Sequence, residues 1–162
     1  MVNKTQQNNN KVVAESEKVQ DFIVVLLIFL AVSILIFSYV SFKFLNDKKL
    51  IIKNQEFKIK IVDTPKTREK GLSGRERLGQ NQGMLFKYTD SGVYCMWMKD
   101  MKYDIDIIWL DENKKVIDIK QNAEVSSYPE VFCPKSDSRY VLELENGSTN
   151  RFNIKLGDQA TF

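Results

Sequence analysis

Between Phe22 and Val40 nineteen residues run without a charge, interrupted only by Ser33 and Ser38. At about 1.5 Å of rise per residue, a helix of that length matches the roughly 30 Å hydrocarbon core of a bilayer. Carrying it through Ser41 to Leu45, with Lys43 reaching toward the headgroups, gives a single transmembrane span over 22–45. Even a buried helix of a soluble domain is rarely apolar on all faces for so long. The chain therefore divides into a polar leader (1–21), the span (22–45), a Lys-rich stalk (46–55) and a folded part (56–162). That last part is long enough for one small domain.

The charge is unevenly placed. Residues 1–55 hold seven Lys against four acids, whereas 56–162 hold 17 basic and 17 acidic residues, so the formal +3 belongs to the anchor region. A neutral domain without a Lys/Arg stripe argues against nucleic-acid binding, which rests on phosphate neutralisation. In the leader, Lys4, Lys11 and Lys18 are offset by Glu15, Glu17 and Asp21, and no small-residue cleavage site follows the apolar run. No Cys lies just after the span, so an uncleaved signal anchor is expected and a lipoprotein anchor is not. The Asn/Gln-rich run Gln6 to Asn10 reads as disordered. Three Lys precede the span and four follow it (Lys43, Lys48, Lys49, Lys53), a weak bias toward a cytoplasmic domain.

Histidine is absent. Ser-His-Asp and Cys-His catalysis, His-bearing zinc sites and His bases fall together. Two Cys cannot complete a Cys-only tetrahedral site. Carboxylate and Lys chemistry remain.

The domain reads as mainly β. Phe57, Ile59 and Ile61 alternate with Lys58 and Lys60, a half-buried strand. Thr64-Pro65 predicts an N-cap with Pro at the first helical position, opening a short helix through Lys70 that Gly71 and Gly74 stop. Val93–Met98 and Ile105–Leu110 read as strands. A turn at Asp111–Lys114 leads into Val116–Ile119 as a hairpin. Tyr140 to Glu145 alternates, with Tyr140, Leu142 and Leu144 opposite Val141, Glu143 and Glu145. One helical turn over Ser148–Phe152 and a short strand ending at Phe162 complete a compact β-sandwich or barrel-like domain with one or two short helices. Gly71, Gly83, Gly147 and Gly157 are expected at turn and positive-φ positions. Their spacing matches no phosphate loop, so nucleotide binding is unsupported. No cofactor is expected.

Seven words in order carry a resemblance: Thr67-Arg68-Glu69-Lys70-Gly71-Leu72, Gly74-Arg75, Gly83-Met84-Leu85-Phe86, Trp97-Met98-Lys99, Ile105 through Asp111, Tyr140 through Gly147, and Ile154-Lys155-Leu156-Gly157-Asp158. Over 56–162 the chain resembles the DUF192 family. The resemblance implies a single mainly-β, sandwich-like domain, often exported behind a signal peptide or anchor, and no established reaction. Ser73, Asp100, Met101 and Asp104 stand where the family commonly has Met, Asn, Thr and Pro, so the loop Lys99–Asp104 is more acidic than the family's.

Four constellations could carry chemistry. Cys95 and Cys133 have no other possible partners; in an exported domain they pair as a disulfide, and in a cytosolic one they are two thiols. The pairing and the family's export habit outweigh the Lys bias and predict a domain outside the cytoplasm. Met96, Met98 and Met101, beside Trp97, are soft donors suited to Cu(I), although strand alternation and ordinary core packing argue against a full ligand set. Asp106 and Glu143 interrupt apolar strands. As a pair they could hydrolyse a glycoside, and as a structural network they would pair with Arg75 or Lys99. Arg75 and Lys99 with Trp97 and Trp109 could instead line a cleft for an anionic or carbohydrate ligand, provided the tryptophans are exposed. The leading expectation is a membrane-anchored, extracytoplasmic, non-catalytic binding module for an envelope glycan or protein. A carboxylate-based polysaccharide hydrolase and a Met-rich copper module are the alternatives.

Overall fold

The chain, in a computed structural model, is described at residue 20 and over residues 22–39 and 48–162. It divides into two units. In the first, helix α1 (Phe22–Tyr39) is long and apolar enough to cross a membrane or to serve as a signal sequence. The leader apart from residue 20, residues 40–45 of the expected span and the start of the stalk lie outside the described residues.

The second unit is mainly β, one curled half-barrel sheet with a two-stranded ribbon and a few short helical turns. Its strands are β1 (Lys48–Ile52), β2 (Gln55–Val62), β3 (Gln82–Gly92), β4 (Met96–Trp97), β5 (Ile105–Leu110), β6 (Val116–Ala123), β7 (Val131–Phe132), β8 (Ser138–Glu145) and β9 (Ala160–Thr161). The large sheet runs β6-β5-β8-β3-β2-β1-β9, and β4 pairs with β7 apart from it. Only the β2–β3 pair is parallel among these ladders.

Much of the expected element pattern is present. Helix α2 (Pro65–Lys70) starts where Thr64 caps it: the Thr64 hydroxyl accepts from Thr67 N at 3.2 Å, and Thr67 Oγ1 accepts from Thr64 N at 3.1 Å. Strand β5 has the expected bounds, and α3 (Ser148–Arg151) is the expected single turn.

Two element readings need correction. Residues 48–55, expected as stalk, are β1 and a hairpin into β2. Lys53 and Asn54 both adopt positive φ, the backbone a two-residue turn requires, and Leu50 and Ile52 are fully buried on one face. Val93–Met98, expected as one strand, contributes only the two residues of β4.

The sheet buries side chains on both faces. Val62, Met84, Phe86, Ile107, Trp109 and Val141 belong to one core, which Met96, Met98, Met101 and Phe132 close from the other side. Leu50, Phe57, Ile59, Leu85, Ile108 and Leu142 belong to the second core. All six residues of β5 are buried, because alternate side chains feed the two cores. Gly83 is a strand residue and not a positive-φ turn residue as expected. A Cβ there would lie 2.8 Å from Leu144 Cδ2 and 3.0 Å from Glu143 O, so its missing side chain lets β3 approach β8.

Candidate binding surface and two buried acids

The β4–β7 ribbon follows from strand alternation. Met96 opposes Phe132 and both point into the first core; Trp97 opposes Val131 and both are half exposed. One step further along the same ladder Cys95 and Cys133 are joined at 2.07 Å, and both are exposed. The outward row is therefore a disulfide followed by an indole against a valine. Val93 and Tyr128 on the flanking segments are also exposed. Trp97 has 51 % of its surface in water and is fixed on a clipped ribbon, so it presents exposed apolar surface.

Loop contacts join the segment that carries Arg75 to the one that leaves β4. The Ser73 hydroxyl donates to Lys99 O at 2.9 Å, Gly74 N donates to Asp100 O at 2.9 Å, and Lys102 pairs with Glu76. The segment carrying Arg75 is thus stitched to the loop that leaves β4, and Arg75 and Lys99 are both exposed. Of the six expected ligand-binding residues, Arg75, Trp97 and Lys99 come from these joined segments. Trp109 is 1 % exposed and its Nε1 donates to Tyr94 O at 2.8 Å, so it is a core residue and not part of a cleft.

Asp106 and Glu143 do not meet. In the β5–β8 ladder Asp106 lies opposite Leu144 and Ile107 lies opposite Glu143, so the two carboxyls project from opposite faces of the sheet. A two-carboxylate glycosidase needs both groups in one cleft, and this register forbids it. Neither acid forms the expected pair with Arg75 or Lys99. Asp106 Oδ1 accepts from Asn122 N at 3.0 Å, and Oδ2 accepts from Thr149 N at 2.8 Å and Thr149 Oγ1 at 2.7 Å. Asn122 has φ 46° where the β5–β6 register shifts, so Asp106 satisfies the N–H of an irregular strand and the first turn of α3 together.

Glu143 is 4 % exposed, flanked across the sheet by Met84 and Ile107, and its Oε2 has no hydrogen-bond partner among the described residues. Burial pushes its carboxyl up to about 8, so it is mostly protonated at neutral pH. Tyr103 is within electrostatic reach, and its buried hydroxyl likewise lacks a partner. Burial raises the Tyr103 phenol, and the nearby Arg75 charge opposes that rise.

Met96, Met98 and Met101 are buried with Met84 in the first core, where thioethers serve as flexible packing. The acids Asp104, Asp111 and Asp118 accept backbone N–H groups from Val125, Lys115 and Lys135, and Glu145 pairs with Arg151. The sequence reading missed Val131. Counting outward along an antiparallel ladder from a Cys95–Cys133 bond would have put it opposite Trp97. Nothing local in the sequence marks Tyr103.

The DUF192 family model, described as an uncharacterized ACR, matches residues 48–162. The UPF0127 protein of Thermococcus kodakarensis is 27% identical over 101 residues, 62% of each chain, and that of Thermococcus gammatolerans is 34% identical over 58 residues, 36% of this chain and 35% of the relative. The chain thus spans less than two thirds of the length of these relatives. A crystal structure of a protein of unknown function from Novosphingobium aromaticivorans shares the fold, with TM-score 0.68 and 24% identity over 72% of this chain and 85% of that one. A Sinorhizobium meliloti protein, provisionally labelled a transcription regulator, superimposes with TM-score 0.65 and 26% identity over 70% and 89%.

Proposed function

The chain belongs to the DUF192 family, and from that premise we propose that it is a membrane-anchored binding module whose domain faces outward and recognises an envelope glycan or protein without turnover. The exposed Trp97 on the disulfide-clipped ribbon carries this reading. An indole held half in water at the cost of exposed apolar surface is suited to stacking on a sugar ring or filling a partner's pocket. Arg75 and Lys99 on the joined loops favour a ligand bearing negative charge. The uncharged helix α1 supports the anchor, and the exposed cystine supports an oxidising compartment.

The chain has two tryptophans, one buried and one exposed, so the red edge of its emission reports Trp97. Full-length protein in detergent micelles is titrated with envelope glycan and envelope protein fractions. A blue shift that disappears in Trp97→Ala is expected. If no fraction shifts the emission, or if Trp97→Ala binds as well as the parent, the reading fails. Compartment is tested with a membrane-impermeant thiol reagent on intact cells: labelling of Cys95 and Cys133 is expected only after reduction. Labelling that needs lysis but no reductant would put the domain inside.

A further inference from the structure

On the sheet face opposite Glu143 there is a cavity of about 310 Å³ at the end formed by β1, β3 and the β5–β6 turn. Its floor is apolar, with Ile61 and Leu85 beneath Tyr140 and Phe162, whose rings meet edge to face at 5.1 Å. Its remaining lining residues are Lys48, Lys49, Lys87 and Lys114, and no acidic side chain lines it among the described residues.

Register explains why the cations converge. Lys48 lies opposite Ile59 and Lys87 opposite Tyr140, so both share the face of the second core. Lys114 arrives from the turn after β5, held at φ 64° while its N–H donates to Asp111 O at 3.0 Å. Its ammonium donates to Phe162 O at 2.9 Å and sits 4.3 Å from the Phe162 ring centre, fixed at the cavity wall. Lys49 is engaged by Glu56 at 3.1 Å, whereas Lys48 and Lys87 have no acidic partner among the described residues. Lys48 and Lys87 thus face the cavity with no described acidic side chain beside them, and a bound oxyanion relieves the repulsion between them.

We propose that this cavity is a binding site for a phosphate ester, with Lys48, Lys87 and Lys114 holding the phosphate over the Tyr140–Phe162 pair. Three ammonium groups from three separate elements exceed what one carboxylate neutralises, and lysines bind phosphate as point charges. The volume, at the low end for small-molecule sites, has room for the organic group that the ester carries against the aromatic floor. The ester belongs either to an anionic lipid headgroup or to a soluble polyol phosphate. The site lies on the other face of the sheet from the residues that pack beneath Trp97, so it stands or falls independently of that surface.

The test uses the full chain in phosphatidylcholine nanodiscs, with lysine acetylation rates followed by mass spectrometry. Addition of glycerol 3-phosphate should slow acetylation of Lys48, Lys87 and Lys114 about fivefold once the ester is at roughly four times its dissociation constant, leaving Lys66 and Lys155 unchanged. That result assigns the soluble source. Protection in phosphatidylglycerol nanodiscs without added ester assigns the headgroup. Lys87→Gln, with its melting temperature checked, should abolish protection at Lys48 and Lys114; Lys48→Gln serves if the first variant unfolds. The proposal is overturned by no selective protection in either medium, by equal protection from sodium chloride at matched ionic strength, or by undiminished protection in the folded variant.

Discussion

Asp106 and Glu143 stand on adjacent strands, both inside apolar runs and both almost fully buried, yet their surroundings are opposites. Asp106 spends both oxygens on three donors from two other elements. Glu143 has methionine and isoleucine beside it across the sheet and an oxygen with no donor. The first acid is a staple that binds an irregular strand and a helical turn to the sheet. The second is held neutral by burial, so it reports the dielectric around it. A buried carboxylate in a strand is therefore not one kind of object, and its partners decide what it does.

The largest expected effect breaks the staple. Asp106→Ala leaves Asn122 N, Thr149 N and Thr149 Oγ1 without an acceptor, at roughly 1–3 kcal/mol for each of the two buried Thr149 groups and less for Asn122 N, so a loss of about 3–6 kcal/mol is expected in urea unfolding. A change under 1 kcal/mol would show that water replaces the carboxylate and that the contrast is only geometric.

Glu143 is expected to respond in the opposite direction. Its folded value of about 8 lies above the ordinary 4.5, so between those limits the native state binds more protons than the unfolded chain. Its contribution to stability is complete below about pH 4.5 and is lost as pH rises toward 8. Glu143→Met should therefore flatten the pH profile over that window and raise stability at pH 8 by roughly 3–5 kcal/mol relative to the parent. An unchanged profile would mean that Glu143 finds a partner in solution.

Sequence pattern reached one side of this comparison and not the other. Apolar interruption marked both acids as costly, and alternation placed Tyr140, Leu142 and Leu144 on one face. It could not choose partners. Asp106 is satisfied by Asn122 and Thr149, whose relevance depends on a register shift in β6 and on where α3 returns to the sheet. Both are long-range facts with no local signature. Trp97 and Trp109 repeat the lesson: each sits in an apolar word, but one strand belongs to a two-stranded ribbon and the other to the middle of a seven-stranded sheet. What the sequence did carry was local chemistry, such as the Thr64 cap and the bounds of β5. The lysine cavity was hidden for the same reason as the partners of Asp106, since its cations come from separate elements.

A finer cut separates the Asp106 contacts. Thr149→Val keeps the β-branched shape and the backbone donor while removing the hydroxyl that donates at 2.7 Å, so a loss of about 1–2 kcal/mol is expected. Combined with Asp106→Ala, it should add much less than this, because the shared contact is already gone. Full additivity in the double variant would mean that Thr149 acts through packing and not through the carboxylate.

The smallest effect tests the orphaned side. The Tyr103 hydroxyl is buried without a partner, within electrostatic reach of Glu143. If both groups are unpaired, Tyr103→Phe removes a desolvated hydroxyl that contributes no bond, and stability should move by less than about 0.5 kcal/mol or rise slightly. If instead the hydroxyl donates to Glu143 in solution, the same change costs about 1 kcal/mol or more at pH 9, where the carboxylate is charged, and less at pH 5, where it is protonated. A loss of stability that grows with pH would make Glu143 a partnered acid like Asp106 and erase the contrast between the two faces. A flat response near zero leaves the pair as two isolated polar atoms in one core, and leaves burial as the cause of the raised carboxyl.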